Sequence, residues 1–214
     1  MINRERKERA RRLNSARETT LRIGLPALIV AALSIFEGVS FGAIHAWAHP
    51  DSINLCEREM TRAATKYDVP LGVLYAVGLT ETGRRGALSP YALNIEGQSL
   101  FPANLDESIR RFESARKDGA RLIDVGCMQI NYYFHGQRFR SLEAMFDPRE
   151  NVEYAAQYLK ALRAREGNWT LAAARYHAGP GNNPAQKKYV CQVISNMVAS
   201  GFGAWTMNAR KFCQ

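Results

Sequence analysis

Glu81 is the side chain in this sequence best placed for acid–base chemistry. It follows an uncharged run, LGVLYAVGLT, over residues 71–80. At helical spacing it shares a face with Leu74, Val77 and Gly78. A carboxyl group on an apolar helix face is partly desolvated, which disfavours the anion and keeps a proton available near neutral pH. Scission of a glycosidic bond needs such an acid, because the leaving oxygen must be protonated. Taken alone, Glu81 is better explained as a solvated helix-end residue beside Arg84 or Arg85. Other chemistries lack their residues. There is no G-x-x-x-x-G-K-[ST] for phosphates and no H-E-x-x-H for zinc, and the four histidines are scattered. Gly38-Val39-Ser40-Phe41-Gly42 spells G-x-S-x-G, but without the strand before it and helix after it that a nucleophile elbow needs. Asn168-Trp169-Thr170 matches a glycosylation sequon in pattern only.

The order of the motifs downstream of Glu81 shifts the balance. Glu81-Thr82-Gly83 precedes Gly126-Cys127-Met128-Gln129, then Arg175-Tyr176-His177-Ala178-Gly179-Pro180-Gly181, then Tyr189. This series resembles the lytic transglycosylases with a soluble-lytic-transglycosylase, goose-lysozyme-like catalytic domain. That family carries Glu-Ser, Gly-Leu-Met-Gln, Ala-Tyr-Asn-Ala-Gly and a late Tyr in the same order. The resemblance spans roughly residues 52–195. It implies that Glu81 is the sole catalytic acid/base and that Thr82 stands where the family has Ser. It implies a substrate-binding segment from Gly126 to Gln129, with Met128 against the sugar and Gln129 bracing the backbone. Tyr176, His177 and Tyr189 fall near the glutamate and the glycan. Three departures stand out. Cys127 replaces Leu, His177 replaces Asn, and the stretch from Glu81 to Gly126 is longer than usual. That insertion is expected to form a lip over the cleft, as in members associated with secretion or conjugation machines.

The resemblance implies cleavage of peptidoglycan glycan strands without metal or cofactor. Glu81 protonates the oxygen between N-acetylmuramic acid and N-acetylglucosamine. The 2-acetamido group stabilises the developing cation, as in substrate-assisted glycosidases. Glu81 then deprotonates the C6 hydroxyl, which closes on C1 to give a 1,6-anhydro end. An intramolecular nucleophile held nearby outcompetes water in a dry site. A second carboxylate would suggest hydrolysis by a muramidase. Asp124 is the one candidate, and a helix cap for the turn at Cys127 explains it better. A non-catalytic wall-binding protein on the same fold is the other alternative.

These residues need elements to hold them. Ser52 is placed to cap a helix through about residue 66, with Leu55, Met60 and Ala63 or Ala64 inward. Pro70 opens the next helix, over residues 71–81, which Gly83 and Gly86 end. Alternation at Tyr91, Leu93 and Ile95, a turn at Glu96-Gly97, and Leu100-Phe101 read as a hairpin. Residues 106–117 form an amphipathic helix, and residues 127–132 read as a short buried helix. Asp147-Pro148-Arg149-Glu150 starts a helix in which Glu150 reaches back to the cap. Its apolar stripe is Val152, Ala155, Ala156, Leu159 and Leu162. Helices over residues 169–177 and 184–200 complete the pattern. The expected fold is mainly α, a lysozyme-like single domain of six or seven helices with one small β-hairpin insertion.

Composition fits that picture. The 214 residues are 46% hydrophobic and 23% charged, which excludes disorder and fibrous repeats. Eight of the 29 Lys/Arg lie within residues 1–22, ahead of fourteen uncharged residues, 23–36, and an Ala46-Trp47-Ala48 site. This describes a secretory signal over residues 1–48, with a retained membrane anchor over residues 21–44 as the alternative. Either places residues 49–214, the transglycosylase-like domain, in the periplasm or otherwise outside the cytoplasm. That part keeps a net charge of +5, attractive to the carboxylates of peptidoglycan stems. It has no basic stripe longer than Lys187-Lys188, so nucleic acid is not an expected partner. Glycan strands are the expected partner, a secretion, flagellar or conjugation apparatus a second, and the membrane is met only through the N-terminal segment. Four cysteines in an oxidising compartment allow three connectivities. Short closures favour Cys56–Cys127 with Cys191–Cys213, and Cys127 as a buried free thiol is the competing account.

Overall fold

Local signals start and stop most of the long helices. The computed structural model describes residues 54–83, 86–179 and 183–214. The export segment, its cleavage site, the anchor, the G-x-S-x-G match, Ser52, Arg84 and Arg85 lie outside the described residues. Helix α1 (Leu55–Tyr67) is capped by Asn54, whose side chain accepts from the Cys56 amide at 2.9 Å. Cys56, Glu59, Met60 and Ala63 face inward, whereas Leu55 is exposed, against expectation. The helix starts two residues later than a Ser52 cap would place it, so Leu55 falls at its first position. Helix α2 (Leu71–Thr82) begins after Pro70 and ends at Gly83. It is buried on most sides, including Val73, Leu74, Ala76 and Val77, as an uncharged helix must be. Fully burying Leu74 or Val77 contributes about 1.5–3 kcal/mol. Gly78 lets α1 approach, since a Cβ there would overlap the Met60 methyl.

The insertion carries more strand than the one expected hairpin. Strands β1 (Leu93–Ile95) and β2 (Gln98–Leu100) flank the predicted turn, at which both Glu96 and Gly97 have positive φ. Helix α3 (Leu105–Lys117) comes next, capped by Asn104. Strands β3 (Ile123–Val125) and β4 (Ile130–Asn131) then extend the sheet in the order β2-β1-β3-β4, all antiparallel. The register aligns Leu93, Val125 and Ile130 in one row, and Asn94, Asp124 and Asn131 in the next. Strand period two sends the first row into the core, where all three are buried, and the second to the other face. Residues 127–132 are therefore not a helix. Positive φ at Gly126 and Gln129 folds residues 126–129 into a turn, and the helix begins only at Tyr132.

Short elements lead on from the sheet: α4 (Tyr132–His135), a 3₁₀ turn (Gly136–Arg138) and α5 (Leu142–Phe146). Helix α6 (Pro148–Glu166) starts as read, with Asp147 accepting from the Arg149 and Glu150 amides. The Glu150 carboxylate instead takes Arg140 at 2.7 Å. Its whole predicted stripe is buried. Helix α7 (Trp169–Ala178) is capped by Asn168, and α8 (Asn183–Ala199) and α9 (Met207–Cys213) complete the chain. Helix α6 packs between α1 and α7, and α8 lies across α2 and α7. The described residues thus hold nine α-helices, since α4, α5 and α9 are too short to announce themselves by period. The fold is mainly α with a small antiparallel sheet. Disulfides join Cys56 to Cys127 and Cys191 to Cys213.

Candidate active site

The end of α2 delivers Glu81 to a cleft of about 890 Å³, whose opposite wall is the polar row of the sheet, Asn94, Asp124 and Asn131. The Glu81 side chain is 14% exposed, so it is shielded yet reachable. Tyr189, from α8, donates its hydroxyl to Glu81 Oε1 at 2.7 Å. His177 Nδ1, from α7, lies 3.8 Å from the same oxygen, so neither of these two contacts uses Oε2. The His177 and Tyr189 rings are stacked, 4.2 Å apart and 5° from parallel. This stack fixes two α7 and α8 side chains against one carboxylate. The Glu81 contact raises the His177 pKa above its ordinary 6.5, against the opposing effect of burial. Burial, reinforced by the Glu81 charge, holds the phenols of Tyr189 and Tyr176 well above their ordinary value, so both stay hydrogen-bond donors.

The turn at residues 126–129 is the other half of the site, and it is held by its main chain. Thr82 Oγ1 donates to the Cys127 carbonyl at 3.2 Å, and Tyr176 donates to the Met128 carbonyl at 2.7 Å. Asn151, buried in α6, accepts from the Met128 amide at 2.9 Å. Its amide donates to the Val125 and Met145 carbonyls at 3.0 and 2.9 Å. Gly126 has φ +80°, and a Cβ there would lie 2.5 Å from Asn151 Nδ2, so glycine is required on both counts. Gln129 donates to the Ala92 and Gly126 carbonyls at 3.2 and 3.1 Å. The Cys56–Cys127 disulfide ties the same turn to α1.

Several expected substrate contacts are therefore corrected. Met128 is fully buried beneath Gly78 and cannot meet a sugar with its side chain. Thr82 and Gly126 are buried supports of the turn. Tyr189 is buried and reaches the cleft only through its hydrogen bond to Glu81. Tyr176, His177 and Gln129 do line the cleft. Asp124 is not a helix cap. It sits mid-strand in the cleft wall and accepts from Asn131 Nδ2 at 2.7 Å. Burial, with a further push from the Glu81 charge, raises its pKa from 3.8 to about 6, although the Asn131 hydrogen bond opposes the shift.

Other contributors carried no motif. Asn151 hides within an apolar stripe, and an uncharged amide beside Val152 on a core-facing helix was its only signal. Phe134, His135 and Tyr158 line the far side of the cleft, with the His135 ring 5.1 Å from Tyr158 and its Nδ1 2.8 Å from the Tyr154 hydroxyl. Asn94 and Asn131 gain meaning only from the sheet register. No helix of the described residues is long and apolar enough to cross a membrane.

No curated protein and no solved structure matches the chain. A family model for the transglycosylase SLT domain matches residues 59–196, which takes in Glu81, the glycine-led turn, Tyr176 and Tyr189. The shielded glutamate at a helix end, the braced turn facing it and this match over most of the chain agree, and the chain belongs to the transglycosylase SLT domain family, the lysozyme-like peptidoglycan lytic transglycosylases.

Proposed function

We propose that residues 49–214 act outside the cytoplasm on the β-1,4 bond from N-acetylmuramic acid to N-acetylglucosamine, with Glu81 as acid and then base. The proton of Glu81 Oε2 passes to the glycosidic oxygen as the bond to C1 breaks. The muramoyl 2-acetamido group supports the developing cation. The Glu81 carboxylate next takes the C6 hydroxyl proton, and that oxygen closes on C1 to leave a 1,6-anhydro end. Tyr189 holds Oε1 throughout, which keeps Oε2 aimed at the substrate. His177 lies close enough to stabilise the carboxylate form of the second half-reaction. The basic and apolar character of residues 1–48 supports export. The insertion that carries α3 and the sheet supports work beside a secretion, flagellar or conjugation machine.

One observation carries this reading: a shielded carboxylate, gripped through a single oxygen, at the wall of a cleft large enough for a glycan. Digestion of purified cell wall by wild type is expected to release muropeptides with anhydro ends, which lack one water by mass. Glu81→Gln is expected to release essentially none. Equal release by both would remove Glu81 from the chemistry. Hydrolysis is the second reading, favoured by one observation: Asp124 lines the same cleft and feels the Glu81 charge. Reducing ends carrying the extra water would establish it.

A further inference from the structure

A second depression, of about 490 Å³, adjoins the cleft and is lined in part by Arg116, Tyr133, Gln137, Arg140 and Ser141. The two share a rim. Phe134 lines the cleft, Tyr133 lines the depression, and their rings meet edge to face 5.0 Å apart. Arg121 fixes that rim. Its guanidinium lies 4.8 Å over the Tyr133 ring and donates to the Tyr133 hydroxyl at 2.8 Å. Its amide donates to Glu96, a cleft-lining residue, at 3.0 Å, and its neighbour Leu122 also lines the cleft. Tyr133 is nonetheless 52% exposed.

Two arginines line the depression, one of them paired with Glu150. Arg116 donates one Nη to the Ala120 carbonyl at 2.7 Å, and Arg140 one Nη to Glu150 at 2.7 Å. Each guanidinium carries five N–H groups, so donors remain on both for a ligand. A planar guanidinium recognises a carboxylate with two parallel hydrogen bonds, and an aromatic edge beside it suits the backbone of a short peptide. A glycan lying in the cleft must send its side branches over a wall. The peptide stems of peptidoglycan are such branches, and they bear free carboxylates.

We infer that this depression binds the acidic peptide stem of a muramoyl unit held in the cleft, with Arg116 and Arg140 on its carboxylates. The inference rests on the glycan-cleaving reading and adds to it a requirement for peptide. It also gives the insertion a purpose, since Arg116 and the Arg121 rim both come from the stretch between Glu81 and Gly126.

The test compares two substrates: intact stem-bearing glycan strands, and the same strands stripped of peptide with an amidase. For each enzyme the ratio of kcat/KM on the two is taken, which does not depend on the fraction of protein folded. Arg116→Gln with Arg140→Gln is expected to lower the ratio about tenfold, through KM on the stem-bearing strands. The double Lys replacement is expected to restore part of it, because charge remains while the paired geometry is lost. An unchanged ratio, or equal losses on both substrates, overturns the stem site and leaves glycan cleavage standing. A wild type inactive on both substrates overturns the glycan-cleaving reading, and the stem site with it.

Discussion

Asp124→Asn is the most telling single substitution, because it keeps the shape of the cleft wall and removes one charge. Asparagine retains an acceptor for the Asn131 amide, which reaches position 124 at 2.7 Å. Burial pushes the Asp124 pKa from 3.8 to about 6. At about 1.4 kcal/mol per unit, ionised Asp124 costs the folded state about 3 kcal/mol. Partial solvent contact reduces that to about 1–3 kcal/mol. The sign comes from proton linkage. The folded-state pKa is raised, so the folded chain holds more protons between about pH 4 and pH 6. The stabilising contribution is full below the unfolded value and is lost as the pH rises through about 6. The Asp124→Asn chain has no such loss. Thermal melts at about pH 4 should therefore superimpose. At about pH 7.5 the variant should melt higher by about 2–4 °C per kcal/mol, or roughly 2–12 °C in all. Equal differences at both pH values, or a lower melting point at pH 7.5, would refute the reasoning. The same protein sorts the two chemistries. If Glu81 acts alone, Asp124→Asn keeps activity within about tenfold, whereas a hydrolytic partner carboxylate costs on the order of 10²-fold or more.

Three further expectations concern the surroundings of Glu81. His177→Asn removes a group whose pKa lies above 6.5 through contact with Glu81. The imidazolium's contribution to stability is lost as pH rises through the folded value, so the melting-point gap to wild type should close with rising pH. The corresponding limb of the pH–rate profile should vanish, and an unchanged profile would remove His177 from it. Asn151→Leu leaves the Met128 amide and the Val125 and Met145 carbonyls without their partner. At about 1–3 kcal/mol for each buried group, denaturant titration should find a loss of at least about 3 kcal/mol, and a loss under about 1 kcal/mol would contradict it. The disulfides should separate in kind. Cys56–Cys127 closes 71 residues and anchors the turn that faces Glu81, so Ala replacements should cost about 4 kcal/mol and most of kcat. Cys191–Cys213 closes 22 residues at the C-terminus, so its removal should cost about 3 kcal/mol with kcat nearly intact.

Legibility in the sequence tracks physical scale. The Asp147-Pro148 start, the α6 stripe and the uncharged α2 ending at Glu81 rest on signals within one or two turns, and all are present. The extra strands carry no local signal because two or three residues cannot display a period. Residues 127–132 are apolar enough to suggest a helix, but a left-handed Gln129 is a backbone property that composition does not report. Family resemblance assigns Met128 to the segment facing Glu81, yet which way a side chain faces depends on packing, and here Gly78 opens the space that takes it inward. Asn151 and the Asn94–Asp124–Asn131 row arise from contacts across 23 residues or more of chain, or from sheet register, neither visible in a local window.

Apart from the Cys56–Cys127 disulfide, the supports of the glycine-led turn grip carbonyls and an amide, so none of them reads the side chain at position 128. Shape and identity are thereby uncoupled there. A saturation library at position 128 should tolerate apolar residues that fill the same volume, while substitutions at Thr82, Cys127, Asn151 and Tyr176 should be read by selection almost letter by letter. Cys127 bonds α1 through its side chain while its carbonyl accepts from Thr82, so the cross-link and the main-chain outline of the turn are held by separate atoms of one residue.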